Sequence, residues 1–273
     1  MGAATAASVD GRITAPEDAT ISILDDGLLR GDGAFEVVKL YGGHPFRLGA
    51  HLDRLRRSAE AIHLDYDGAA LAAEIAALLA AGEDAADGCL RVVLTRGGRR
   101  LLTLERLPEW APSARVSLVT LSPNEILAGV KSISYAANMH ATRLAIAGGA
   151  DEAVYVDPAG IVLEAPTSSV FWAPAEGGLR TPALTVGILD SITRAVVVDA
   201  LPVEQGEFRR DELAGAHEAF LASTTREIQP IAAVDGRELD VVGGEHAEAA
   251  RAALMAAVAA ERGTAGTGAD PAR

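Results

Sequence analysis

The chain has 273 residues, 24 of them basic and 38 acidic, for a net charge of −14, a balance that disfavours a nucleic-acid binder. A composition 49% hydrophobic and 23% charged excludes wholesale disorder, and the one cysteine, Cys89, excludes an internal disulfide and an all-cysteine metal site. No run of about 18 apolar residues spans a membrane, and the N-terminus lacks the basic and apolar regions of a secretory signal, so a soluble cytoplasmic protein is expected.

In chain order, residues 20–24 read as a short strand and Asp25-Asp26-Gly27 as a turn. Gly31-Asp32-Gly33 leads into a β-rich run over 34–41, with Gly42-Gly43 turning into a return strand at 45–48. Leu52, Leu55, Ala59 and Ile62 recur at helical spacing over 50–63, with Arg54, Arg56 and Arg57 on other faces. Residues 69–81 predict a second, largely buried helix, and 89–95 and 115–120 two strands. Leu121-Ser122-Pro123-Asn124 breaks the chain, and the domain boundary is placed there: a small α/β domain over 1–120, a second domain over 121–262.

The second half predicts a helix over 132–147 ended by Gly148-Gly149, then a hairpin of 152–156 and 161–164 about Asp157-Pro158-Ala159-Gly160. A strand at 169–172 follows, then a helix from an N-cap at Ser191 through Leu201, a strand at 219–223 and a closing amphipathic helix over 245–261. The tail, 263–273, is expected to be disordered. Both halves mix strands and helices without strict βαβ alternation, an α/β arrangement of the α+β type.

The six histidines form no HxxxH or HxH pair and no Gly-x-Ser-x-Gly occurs, so neither a metal site nor a serine triad is expected. Only Lys39 and Lys131 are lysines among the 24 basic residues, and arginine cannot supply a primary amine. Lys131 follows the apolar run 126–130, where desolvation favours a nucleophilic amine; a surface lysine at a strand end fits its local sequence equally well. Glu164 interrupts an apolar run at 161–165, which suits either a buried carboxylate facing a cation or a solvent-facing strand residue. Ser191-Ile192-Thr193-Arg194 and Ala222-Ser223-Thr224-Thr225 offer hydroxyls and a helix N-terminus, suited to phosphate or to ordinary capping.

Six segments in order carry a family pattern: GDGAFEVVKLYGG (31–43), AHLDRLRRSAEAI (50–62), VKSISY (130–135), EAVYVDPAGIVLEAPTSSVFW (152–172), GILDSITRAVVV (187–198) and FLASTTREIQPI (220–231). Together they resemble the class IV (fold-type IV) pyridoxal-phosphate aminotransferases, which include branched-chain and D-amino-acid aminotransferases and aminodeoxychorismate lyase. The resemblance implies a two-domain fold of mixed sheets with flanking helices, pyridoxal 5′-phosphate in the interdomain cleft, and a homodimer. It makes Lys131 the Schiff-base lysine, Glu164 the partner of the ring nitrogen and Arg54 the phosphate-binding arginine. Ile192, Thr193, Ser223 and Thr224 complete the phosphate cup, and Tyr135 faces the cofactor's 3-hydroxyl at a spacing one residue shorter than usual.

For substrate binding, the resemblance brings forward Phe35, Lys39 (where branched-chain members tend to have arginine), Thr225 and Arg96, the last as a bidentate carboxylate binder. Ser169 stands where many members have asparagine. The implied reaction is amino-group transfer between an amino acid, branched-chain or otherwise apolar, and an α-keto acid. The alternatives are a lyase forming 4-aminobenzoate and pyruvate from aminodeoxychorismate, a D-amino-acid or (R)-amine transaminase, and an inactive scaffold.

Overall fold

The computed structural model describes residues 2–82 and 87–267. The chain forms two compact units, one of Met1–Glu109, Val130–Tyr135 and Val258–Arg273, the other of Trp110–Gly129 and Ala136–Ala257. A single cut after residue 120 does not describe this division: 110–120 goes with the second unit, and the short segment holding Lys131 goes with the first.

The first unit is built on β1 (Ala4–Val9), β2 (Arg12–Thr14), β3 (Gly33–Tyr41), β4 (His44–Pro45), β5 (Gly88–Thr95) and β6 (Arg100–Arg106), in the order β2-β1-β6-β5-β3-β4. Every neighbouring pair is antiparallel. Alternation along β3 sends Ala34, Val38 and Leu40 to one face, all fully buried. There they meet Leu55 and Ala59 of α2 (Leu48–Ala61) and Leu71, Ile75 and Leu78 of α3 (Gly68–Ala81). Asp67 caps α3 by accepting from the Ala70 N–H. Only that stripe of α3 is buried, so the helix expected to be largely buried instead exposes an outer face of alanine.

Elsewhere in this unit the chain departs from expectation in four places. Residues 20–24 are not a strand; Ile23 and Leu24 are 76% exposed, with no neighbouring strand among the described residues to bury them. Asp25 accepts from the Gly27 N–H and starts a short helix, Asp26–Arg30, where a turn was expected. The return strand is the two residues of β4, because α2 begins at Leu48. Residues 132–135 are not helical; Ser132 bridges Ala34 in extended form, so the helix starts at Ala136.

The second unit holds β7 (Ala114–Thr120), β8 (Glu152–Val156), β9 (Ser169–Ala173), β10 (Leu179–Pro182), β11 (Val203–Gly206), β12 (Glu218–Ser223) and β13 (Glu227–Val234). Their order is β11-β10-β9-β12-β13-β7-β8, with Arg237–Glu238 paired to β13. The strand at 169–173 therefore does not extend the 152–164 hairpin but lies several strands away. Val170 and Trp172 enter one core with Leu221 and Ile231, while Phe171 stacks on Phe220 at 5.0 Å between centroids. Helices at Ala136–Ala147 and Ile192–Ala200 flank this sheet, the former against β7 and β8 and the latter against β12. The closing helix runs Glu245–Thr267, taking in the first residues of the expected disordered tail; 268–273 lie outside the described residues. Among the described residues no helix is long and apolar enough to cross a membrane.

Candidate active site

In the first unit the site grows from a carboxylate placed where β3 is otherwise apolar. Glu36 shares the helix-facing side of β3 with Ala34 and Val38 and is fully buried. A buried carboxylate must be paired, and α2 supplies the partners, His51 and Arg54, three residues apart on its inner face. Arg54 donates from Nε to Glu36 Oε1 at 2.6 Å and from Nη2 to Oε2 at 2.8 Å, and His51 Nδ1 lies 2.7 Å from Oε2. Burial works to raise the Glu36 pKa, but the bonds from Arg54 and His51 outweigh it and hold the carboxyl at about 2. Burial lowers the His51 pKa, with Glu36 opposing and the charges of Arg54 and Lys131 adding to the fall.

One turn further along α2, Ser58 Oγ accepts from the Lys131 backbone N–H at 3.1 Å. The Lys131 carbonyl accepts from the Phe35 N–H at 2.9 Å, so the lysine's own backbone is sewn between α2 and β3. Its Nζ lies 4.5 Å from the centre of the Phe35 ring, and the Tyr135 ring meets Phe35 edge-on at 5.3 Å. The structure thus brings together Lys131, Phe35 and Tyr135, with Arg54 in the adjoining network.

Lys39 follows Phe35 on the same side of β3, its Nζ 4.8 Å from the Tyr41 ring centre. Arg91, across the ladder from Val37, was not singled out from sequence. It donates to both oxygens of Glu105 at 2.6 and 2.9 Å; burial works against its charge, and Glu105 more than restores it, with a smaller contribution from Tyr135. Arg96 is committed elsewhere. It pairs with Asp32 at 3.0 Å and donates to the carbonyls of Ile62 and His63, bracing the 95–99 loop.

In the second unit, Glu164 ends the segment paired back onto β8, and its Oε1 accepts from the Leu189 N–H at 3.1 Å. Ser191 caps the 192–200 helix through the Arg194 N–H, so the N–H groups of Ile192 and Thr193 point outward from the first turn beside the buried Thr193 side chain. Arg194 itself is buried and donates to the Pro182 carbonyl and to Gln205, each at 2.8 Å; burial lowers its pKa, and Asp190 and Glu164 support its charge. That helix packs on β12, whose last residue, Ser223, opens the turn carrying Thr224 and Thr225.

Ser168 Oγ and Ser169 Oγ are buried without a hydrogen-bond partner, and Ser169 stands across the ladder from Ala222, the residue before Ser223. Orphaned hydroxyls in this neighbourhood, a helix N-terminus, a hydroxyl turn and a carboxylate give the second unit donors that fit a phosphorylated pyridine, and Lys131 gives the first unit a primary amine that fits an aldehyde.

The sequence model of the family described as amino-transferase class IV matches residues 33–234. The chain is 30% identical over 253 residues to a D-alanine aminotransferase of Bacillus licheniformis, spanning 84% of this chain and 88% of the other. It is 29% identical over 252 residues to an aminodeoxychorismate lyase of Bacillus subtilis, spanning 83% and 86%. Among solved structures, a branched-chain aminotransferase of Thermoproteus uzoniensis with norvaline matches with a TM-score of 0.85 at 27% identity, covering 94% of this chain and 96% of that one.

Proposed function

Because the chain belongs to the class IV aminotransferases, enzymes that use pyridoxal 5′-phosphate, we propose that it moves an amino group between a branched-chain or other apolar amino acid and an α-keto acid. The observation that carries this reading is the placement of Lys131, whose backbone is fixed by Ser58 and Phe35 and whose amine rests on the Phe35 ring. When bound, the cofactor supplies an aldehyde that a primary amine can capture and a ring that accepts electrons.

Lys131 would be the amine that holds the cofactor and the base for the proton on the substrate Cα. Glu164, oriented by the Leu189 N–H, would serve the ring nitrogen and keep it protonated. Arg54, oriented by Glu36, would bind the phosphate, as would Ile192, Thr193, Ser223 and Thr224. Tyr135 would serve the ring hydroxyl, and Phe35, Lys39 and Thr225 the substrate. The Phe35 ring and Val93, across the ladder from it, support an apolar substrate.

The test is amino-group transfer from L-leucine and from D-alanine, each with 2-oxoglutarate or pyruvate. Transfer from L-leucine is expected; transfer from D-alanine only would replace the L-substrate reading by the D-amino-acid one. Pyruvate release from aminodeoxychorismate without transfer from any donor would replace both by the lyase. Lys131→Arg keeps the charge and should abolish turnover along with the absorbance near about 410–430 nm of the lysine-bound cofactor. A variant that keeps its turnover removes Lys131 from the reaction.

A homodimer is part of the same proposal. Ile23 and Leu24, each 76% exposed, and Leu28 and Leu29, 59% and 58% exposed, form an apolar ridge suited to burial against a second copy. Sedimentation should give twice the chain mass, and Leu28→Lys should lower it; a monomeric wild type would end this part of the proposal.

A further inference from the structure

The turn after β12 carries an arginine whose burial the turn itself does not require. Ser223 and Glu227 face each other across the ladder, leaving Thr224, Thr225 and Arg226 to make the connection, with Glu227 at φ +57° restarting β13. The Ser223 hydroxyl is placed to accept from the Arg226 N–H at 3.4 Å, so a Ser/Thr turn could form without any help from the Arg226 side chain. Yet that side chain is only 5% exposed. Its Nη2 donates to Glu152 Oε2 and its Nη1 to Gln229 Oε1, each at 2.5 Å, and its guanidinium carbon lies 3.7 Å from the centre of the Trp110 ring. Its Nε is buried with no hydrogen-bond partner.

The partners are themselves fixed. Glu152 also accepts from Thr142 Oγ1 at 2.7 Å and from the Ala153 N–H, and Gln229 donates to the Ala111 carbonyl at 2.8 Å. A buried ion pair with one unsatisfied donor is a poor device for stability. Its geometry does something else: it ties the last residue of a hydroxyl turn to the first residue of β8, to β13 and to the 110–111 segment.

We propose that Arg226 is a positioning residue, and that its pair with Glu152 holds the Ser223–Thr225 turn in the place where it takes up a phosphate ester. The proposal rests on the cofactor reading above and extends it to a residue that touches no part of the cofactor. Because Glu152 cancels its charge, Arg226 acts through placement and adds no net attraction for an anion. The sign of one substitution separates the two roles. If Arg226 bound phosphate directly, Glu152→Gln would release a cation and tighten binding; a positioning role loosens it.

The experiment titrates the cofactor-free full-length protein with pyridoxal 5′-phosphate and, separately, with pyridoxal, which lacks the phosphate, following the absorbance of the lysine-bound form. Three proteins are compared: wild type, Glu152→Gln, and the double variant Arg226→Met/Glu152→Gln, which leaves no unpaired buried charge and so keeps the fold. Both variants should lose about tenfold or more in affinity for pyridoxal 5′-phosphate, in the range typical of residues that orient a ligand's direct contacts, and bind pyridoxal like wild type. Equal losses for the two probes would mark a general structural role and overturn the proposal. So would unchanged affinity, or tighter binding by Glu152→Gln. A wild type that takes up pyridoxal as well as its phosphate overturns the cup itself, and the proposal with it.

Discussion

Among the described residues, two arginine side chains are buried against a glutamate, one in each unit, and the settings differ. Arg54 lies mid-helix and Glu36 mid-strand, so both are held by elements that would exist without them. Arg226 lies in a three-residue turn, where backbone hydrogen bonding holds little, and its pair with Glu152 adds the constraint that regular structure lacks. The lesson is that equivalent chemistry has different consequences according to what else holds the partners. Breaking the first pair leaves the scaffold standing but removes the carboxylate that holds a buried guanidinium, so its cost is read first in stability. Breaking the second is expected to move a turn and to be felt in binding.

The largest expected effect follows from the first pair. Glu36→Gln removes the carboxylate that pairs with the buried Arg54 guanidinium and should cost about 3–5 kcal/mol, measured by urea unfolding of the cofactor-free protein. The double variant Arg54→Met/Glu36→Gln, which removes both charges, should recover most of that stability. A single variant as stable as wild type would erase the distinction between the pairs.

Acid sharpens it next. Glu36 is held at about 2 against an ordinary 4.5, so the unfolded chain takes up the proton more readily than the folded one. Its contribution is complete above about 4.5 and lost as pH falls toward 2, up to about 3 kcal/mol in total. His51, lowered from 6.5, acts in the same direction from a higher starting point, because its folded form resists protonation. Stability should therefore decline below pH 6.5 and fall most steeply below 4.5, and Glu36→Gln should remove the steep part. An unchanged acid profile in that variant would mean that other carboxylates govern it.

These relations set what could be read from sequence. Lys131, Glu164 and the hydroxyl turns stand out because each interrupts a patterned stretch. Strand β3 and helix α3 are legible as patterned runs ended by glycines, and helix α2 by the helical spacing of Leu52, Leu55, Ala59 and Ile62. The Glu36–His51–Arg54 network was not, since its bonds span 15 and 18 residues and join a strand to a helix. Arg226 lies within the 220–231 segment, but nothing local reveals Glu152, 74 residues away. Strand β1 is alanine-rich, a composition that disfavours strands, and it is one because β6 pairs with it. Residues 132–135 follow the helix pattern in sequence and are extended because Ser132 bridges Ala34.

The smallest effect comes from the surface counterpart of both pairs. Arg96, Arg99 and Arg100 look like a basic patch in sequence, but each has an acidic partner: Asp32, Asp10 and Glu74. Arg99 donates to Asp10 Oδ2 at 2.7 Å, as short as the contacts in the buried networks, yet its side chain is 46% exposed. Water screens the attraction and solvates either partner once the other is gone. Asp10 Oδ1 would still accept from the Arg100 N–H at 2.9 Å, so truncating Arg99 orphans nothing. Arg99→Ala should leave the urea midpoint unchanged at both low and high salt. A loss comparable with that of Glu36→Gln would mean that contact distance, rather than burial, ranks the arginine–carboxylate pairs of this protein.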